Sequence, residues 1–189
     1  VQGRGEGADK LLADAVAVLR AWDRTGGADS GGYLLFALWA MLSAPQLLAR
    51  TLLVPAEVPG APQRGLANPS LAVDVLRRTI AVMRDRQIPL AASIGDALTF
   101  CDERIRADGG TGFIGILKSI ELDLMGDGVA FRHGDTWIAL VEFSADGPAV
   151  GRHLLPYGNV SQPAGPSARS QLPLWAASEL RPPRPSSHG

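Results

Sequence analysis

The chain has 189 residues, 46% of them hydrophobic and 20% charged, with a formal net charge of −1. Its length and apolar content suit a domain with a real core and exclude a disordered chain. Near-neutral, interspersed charge excludes an electrostatic nucleic-acid binder or a polybasic membrane anchor, and a lone cysteine, Cys101, excludes a disulfide framework.

The chain starts at Val1 with no charged-then-apolar leader after it, so it reads as a processed product or a piece of a longer polypeptide. Residues 9–22 predict an amphipathic helix, because Leu12, Ala15, Val16, Leu19 and Trp22 recur at helical spacing and Gly26-Gly27 supplies a stop. A second apolar block runs from Tyr33 to Leu53, interrupted at Ser43-Ala44-Pro45-Gln46. No residue from Ser30 to Ala49 is charged, but Pro45 and Gln46 in mid-block and the absence of a basic flank favour a buried core helix followed by a turn over a membrane span. Residues 55–69, with four prolines and two glycines, read as a surface loop. A third helix is predicted at about 70–87, with Leu71, Val75, Leu76, Ile80 and Met83 on one face. Asn68 or Ser70 caps its start and Ile88-Pro89 ends it.

The pattern changes after residue 95. Ala97–Cys101 and Arg104–Arg106 read as two short strands around a tip at Asp102-Glu103, and 109–116 is a glycine-rich connection. Val129–Phe131, Thr136–Phe143 and Val150–Leu155 read as strands, with turns at His133-Gly134-Asp135 and Asp146-Gly147-Pro148. Trp137–Val141 is apolar on both faces, which predicts a strand covered on both sides. From Gln162 the chain is broken by prolines, and 182–189 reads as a disordered tail. Helices first, then mostly antiparallel strands, make an α+β protein in which 1–181 form a single unit.

No motif names a reaction. Gly110-Thr111-Gly112-Phe113-Ile114-Gly115 matches GxGxxG with Asp135 at ribose-acid spacing, but no buried strand precedes it and the apolar run after it is too short for the required helix. His133, His153 and His188 are the only histidines and none sits at metal-ligand spacing with another or with Cys101. His133, beside Gly134 in a predicted turn, is the most interesting of them; His153 reads as a packed or surface strand residue. There is no Gly-x-Ser-x-Gly elbow. Asp102-Glu103 and Glu121/Asp123 are acid pairs better suited to solvated positions than to acid–base work. Asn159-Val160-Ser161 is a glycosylation sequon. The residues therefore assign no catalytic side chain, no cofactor site and no metal site.

Several blocks in order carry a resemblance. Residues 154–183 read LLPYGNVSQPAGPSARSQLPLWAASELRPP. With Tyr157, Gly158, Asn159, Ser161, Pro163, Gln171 and Leu172, this resembles the C-terminal signature of the penicillin acylase family, especially its acyl-homoserine lactone and aculeacin acylase branch. Upstream, His133-Gly134-Asp135-Thr136, Val141-Glu142-Phe143 and Asp146-Gly147-Pro148 resemble a second family block. Gly109-Gly110-Thr111-Gly112, Arg64-Gly65-Leu66, Ile88-Pro89-Leu90 with Gly95-Asp96, and Leu19-x-x-Trp22-Asp23 also fall in family order. The chain departs from the pattern at Ser167 and Ser170, where the family shows histidine and aspartate, and at Val160 and Arg169.

The resemblance implies an N-terminal-nucleophile amidohydrolase, in which a precursor cleaves itself and a newly exposed serine attacks the substrate amide with its own α-amino group as base. It implies that this chain is a C-terminal segment of the β-chain, part of an αββα sandwich, and that the nucleophile lies before it. No residue here then inherits a catalytic role. The implied partners are the remainder of the acylase precursor, namely the α-chain and the N-terminal part of the β-chain, with a small-molecule N-acyl substrate in the parent enzyme. No nucleic acid, membrane span or cofactor is implied, and the location is periplasmic or secreted. The alternative is a non-catalytic remnant acting as a structural or binding module.

Overall fold

The computed structural model describes residues 2–59, 64–100, 105–114, 116–126, 128–156 and 171–182. Three long helices come first: α1 (Gln2–Ala21), α2 (Tyr33–Leu48) and α3 (Pro69–Asp85). A short helix α4 (Ile94–Ala97) leads into strands β1 (Thr99–Phe100) and β2 (Ile105–Arg106). After a 3-10 turn at Gly112–Ile114 come β3 (Ile120–Met125), β4 (Gly128–Gly134), β5 (Ile138–Glu142), β6 (Val150–Leu154) and helix α5 (Leu172–Ala176). The strands pair antiparallel as β1–β2, β3–β4 and β5–β6 among the described residues. The fold is thus α+β, helices before antiparallel strands, as expected.

The helix layer is built around α2. Tyr33, Leu34, Leu35 and Leu38 have no exposed surface, so the uncharged block is core. No described helix is long and apolar enough to cross a membrane. The interruption expected at Ser43–Gln46 does not occur: α2 runs through Pro45 to Leu48. Pro45 stands in the last turn, where only a few intrahelical bonds remain to be lost, and Ala49 N donates to Pro45 O at 3.0 Å to close the end. At the start of α2, Gly32 adopts φ 97° against Trp22, where a Cβ would approach the Trp22 Cβ to 2.9 Å. Only glycine fits both the conformation and the space.

Helix α3 buries Ala72, Val75, Leu76, Thr79, Ile80 and Met83 against α1 and α2, and Trp39 Nε1 of α2 donates to Ala72 O at 3.0 Å. Its cap is Asn68, whose Oδ1 accepts from Leu71 N at 3.0 Å. The helix stops at Asp85, two residues earlier than predicted, because Gln87 turns to φ 56° ahead of Ile88-Pro89. Helix α1 begins seven residues earlier than its apolar repeat, and α5, within the stretch read as proline-broken coil, begins with Pro173 in its first turn, where the missing N–H costs nothing.

Sheet residues join the same core. Ile120 and Leu122 of β3 alternate inward, and Leu154 of β6, Leu172 and Trp175 complete the cluster around α2. The turn expected at His133–Asp135 is largely strand. His133 pairs with Glu121 and Gly134 with Ile120, because β3 is long enough to carry β4 to its end. Only Asp135 lies beyond it. The expectation that Trp137–Val141 is covered on both sides fails within this chain: Trp137 is 64% exposed, Leu140 61% and Val141 49%. Among the described residues, strand β5 pairs with β6 alone, and one end of the hairpin, the Ile138–Leu154 pair, reaches the core. The tips at 101–104, the signature residues 157–170 and tail residues 183–189 lie outside the described residues, which leaves Cys101, Asp102-Glu103, Ser161, Ser167 and His188 without a structural account.

Candidate functional site

The glycine-rich connection is occupied by the protein's own groups. Gly110 forms a bridge with Ser119: its N donates to Lys118 O at 2.9 Å, and its O accepts from Ile120 N at 2.6 Å. Thr111 N donates to the buried Tyr33 hydroxyl at 2.9 Å, and Gly112 N donates to Glu121 Oε1 at 2.8 Å. A phosphate-cradling loop needs such N–H groups free to face the ligand; here a backbone carbonyl and two side chains already take them. Burial pushes the Tyr33 phenol above its ordinary value, so it stays a neutral hydroxyl. Asp135, which stands at ribose-acid spacing, accepts from Ser119 N at 2.6 Å and returns a backbone bond to Ser119 O. The stretch is a strand connection.

Among the described residues, the two histidines lie on separate hairpins, β3–β4 and β5–β6. His133 is an exposed strand residue opposite Glu121, and His153 lies in β6, its backbone doubly bonded to Arg181 at 2.8 and 3.0 Å. Glu121 serves Gly112, and Asp123 Oδ1 accepts from Leu124 N at 2.8 Å. No cluster of three metal-ligating residues exists among the described residues.

Sequence reasoning overlooked a polar hub where the helix layer meets the strands. Arg106 of β2 donates to Asp29, to Asp96 Oδ1 at 2.9 Å, and to the carbonyls of Ala28 and Gly95 at 3.2 Å each. Beside it, Asp23 accepts from the Ser30 hydroxyl at 2.6 Å, and Trp22 Nε1 donates to Ser30 Oγ and Thr25 O. The Ser30 and Thr25 bonds hold the Asp23 carboxyl below the usual carboxylate range; Ser93, more than Arg106, does the same for Asp96. Ser93 and Asp96 also form a capping box for α4. The arrangement pins the 23–31 loop to α4 and β2. Its hydroxyl–carboxylate contacts, Ser30 and Thr25 on Asp23, make that carboxylate less basic and serve to hold the loop.

The resemblance motifs sit at such junctions. Trp22-Asp23 ties the loop after α1. Gly95 passes so close to Ala28 O that a Cβ would stand 2.5 Å away, and Gly109, at φ 120°, does the same against Lys118 O. Leu66 bridges Leu53, with Gly65 at φ 66° between Arg64 and Leu66. Gln171 Oε1 accepts from Leu155 N at 3.2 Å, and Leu172 is fully buried. Backbone contacts this close admit few residue types, so a family pattern at these positions preserves a fold.

The remaining feature is the free part of the β5–β6 hairpin. Trp137, Leu140, Val141, Phe143 (80% exposed) and Val150 are apolar side chains, on both faces of the hairpin, that nothing described in this chain covers. The model of the penicillin amidase family matches residues 4–187, nearly the full length. The strands, the junction motifs and all of the helices but the first two residues of α1 fall within that match, and the chain belongs to the penicillin amidase family.

Proposed function

We propose that this chain is a framework segment of an amidohydrolase that cleaves the amide bond of N-acylated small molecules of the acyl-homoserine lactone, lipopeptide or penicillin type. Residues 1–181 act as one unit. They complete a sandwich whose serine nucleophile, oxyanion donors and acyl pocket lie elsewhere in the same gene product, and no residue of this chain is catalytic. The partners are the α-chain and the N-terminal part of the β-chain, and the enzyme works in the periplasm or outside the cell.

The observation that carries this reading is the uncovered β5–β6 surface on a chain of an amidase family. Covering a few hundred Å2 of such surface stabilises by roughly 5–10 kcal/mol, comparable with the stability of a domain. A hairpin anchored at one end and apolar over the rest fits a sheet continued by other segments of the enzyme.

The test compares the complete gene product with this 189-residue chain expressed alone. Amine release from acyl-homoserine lactones, penicillins and aculeacin-type lipopeptides is expected only from the complete product. Ser161→Ala and Ser167→Ala are expected to leave turnover in place. Turnover by the chain alone, abolished by either change, would make it an unrelated serine enzyme. A monodisperse, cooperatively melting chain that binds none of the missing segments would instead favour a free-standing module.

A further inference from the structure

The C-terminal segment, residues 171–182, is fastened on one side to the β5–β6 hairpin and on the other to Lys118. Along β6, His153 and Arg181 exchange two backbone hydrogen bonds, and Leu155 N donates to Gln171 Oε1 at 3.2 Å. On the other side, Lys118 Nζ donates to Ala176 O at 3.3 Å and to Ser178 Oγ at 3.0 Å, and it lies 4.5 Å from the centre of the Trp175 ring. The same ammonium pairs with Asp108 at 3.2 Å. The backbone of Lys118 is itself fixed, since Gly110 N donates to its carbonyl at 2.9 Å. The side chains of the Lys118–Asp108 pair are 19% and 26% exposed, while every other ion pair among the described residues has partners at least 42% exposed. Solvent and salt therefore screen this pair least.

We propose that residues 171–182 and the β5–β6 hairpin form one cooperative opening unit, latched to the body of the chain by Lys118. Proteins open locally in cooperative units, and groups tied to one another open together. Among the described residues the hairpin reaches the core through Ile138 and Leu154, and the segment reaches it through Leu172, Leu174, Trp175 and Leu180. Apolar packing across the seam is incomplete. A cleft of about 220 Å3 opens there, with Leu117 and Lys118 on the body and Ile138, Leu154, Trp175 and Leu180 on the unit. Side chains that line a void lose the contacts a filled seam would give them. The ammonium spans that seam: its three N–H donors meet three acceptors, Asp108 on the body and Ala176 O and Ser178 Oγ on the segment. Through this coupling the seating of the C-terminal segment sets how firmly the apolar hairpin is held.

Hydrogen exchange resolved along the complete protein tests the latch. Lys118→Met keeps the aliphatic stem and removes the charge. Protection over 138–154 and over 171–178 should fall together by at least about tenfold, the weight of a hydrogen bond to a charged group, with α2 unchanged. Lys10→Met, on the exposed Lys10–Asp14 pair, should leave both stretches as they are. Protection lost over 171–178 alone overturns the proposal, because the hairpin then holds without the latch. Protection unchanged in both stretches overturns it too, since the apolar contacts then suffice. A loss spread equally over α2 also overturns it, because the opening is then global. Should Lys118→Met fail to fold, Ser178→Ala removes one of the three acceptors and should give the same paired pattern at several-fold amplitude; loss in one stretch only, or in neither, overturns the proposal there as well.

Discussion

The helix layer and the β5–β6 hairpin are comparably apolar in sequence and opposite in structure. Tyr33, Leu34, Leu35 and Leu38 of α2 are wholly buried, whereas Trp137, Leu140, Phe143 and Val150 are mostly exposed. The difference is one of local supply. Helix α2 meets α1, α3 and β3 within the chain, and among the described residues the hairpin meets the core through Ile138 and Leu154. A segment's hydrophobicity states that it must be covered; which elements are within reach decides whether its own chain can cover it.

The largest effect tests that contrast directly. In the complete protein, Leu38→Ala should lose about 2–5 kcal/mol, the cost of a core truncation that leaves a cavity. Phe143→Asp should be comparably damaging there if other segments cover the hairpin. Denaturant melts of both variants decide it, and a silent Phe143→Asp would show that the exposed surface is exposed in the enzyme too.

The junction between the two regions comes next. A Cβ at Gly110 would run into the Tyr33 hydroxyl and the Ile116 side chain, so Gly110→Ala should destabilise by about 1–3 kcal/mol through overpacking. Gly128→Ala, where nothing lies within 4 Å of the added carbon, should be near neutral. Thermal melts that rank these two the other way would refute the packing at Tyr33. Within the helix layer, Asn68→Ala removes the acceptor for Leu71 N and should cost about 1 kcal/mol. Helix content lost from the start of α3 in hydrogen exchange would locate the effect.

The smallest effect is electrostatic. Asp23 and Asp96 have depressed pKa values in the folded chain, through Ser30 and Ser93 respectively. A carboxylate of this kind contributes stability that is complete above its unfolded pKa, near the ordinary 3.8, and is lost as pH falls through the lower folded value. Hydrogen-exchange protection in the 23–31 loop, the rate relative to the intrinsic rate at each pH, should therefore fall below about pH 4 and be constant above pH 5. Ser30→Ala should move the acid limb upward, and Arg106→Ala should shift Asp96 less than Ser93→Ala does. Protection that is the same on both sides of pH 4 would show that these carboxylates do not hold the loop.

Much of the fold was legible because it depends on local periodicity. The apolar repeat of α3 and the Asn68 cap, the uncharged block of α2, and the order of helices before strands all follow from residues within a few turns of one another. Pro45 misled because a proline's cost depends on where the helix ends, and that end is set by the packing of Leu34, Leu35 and Leu38. The turn at His133–Asp135 misled because β3 pairs with β4 residue by residue up to Gly134, a contact no single strand reveals. The Arg106 hub joins residues 77 positions apart, beyond any local signal. The family pattern was legible because close-contact glycines and hydrogen-bonded junctions tolerate few residues, which leaves a trace in sequence even where no chemistry occurs. By itself the sequence determined the class of fold, the family and the apolar load of each element. Only the tertiary structure decided which of that load the described residues bury, because burial is a property of neighbours in space, and among the described residues β5 and β6 reach the core through Ile138 and Leu154.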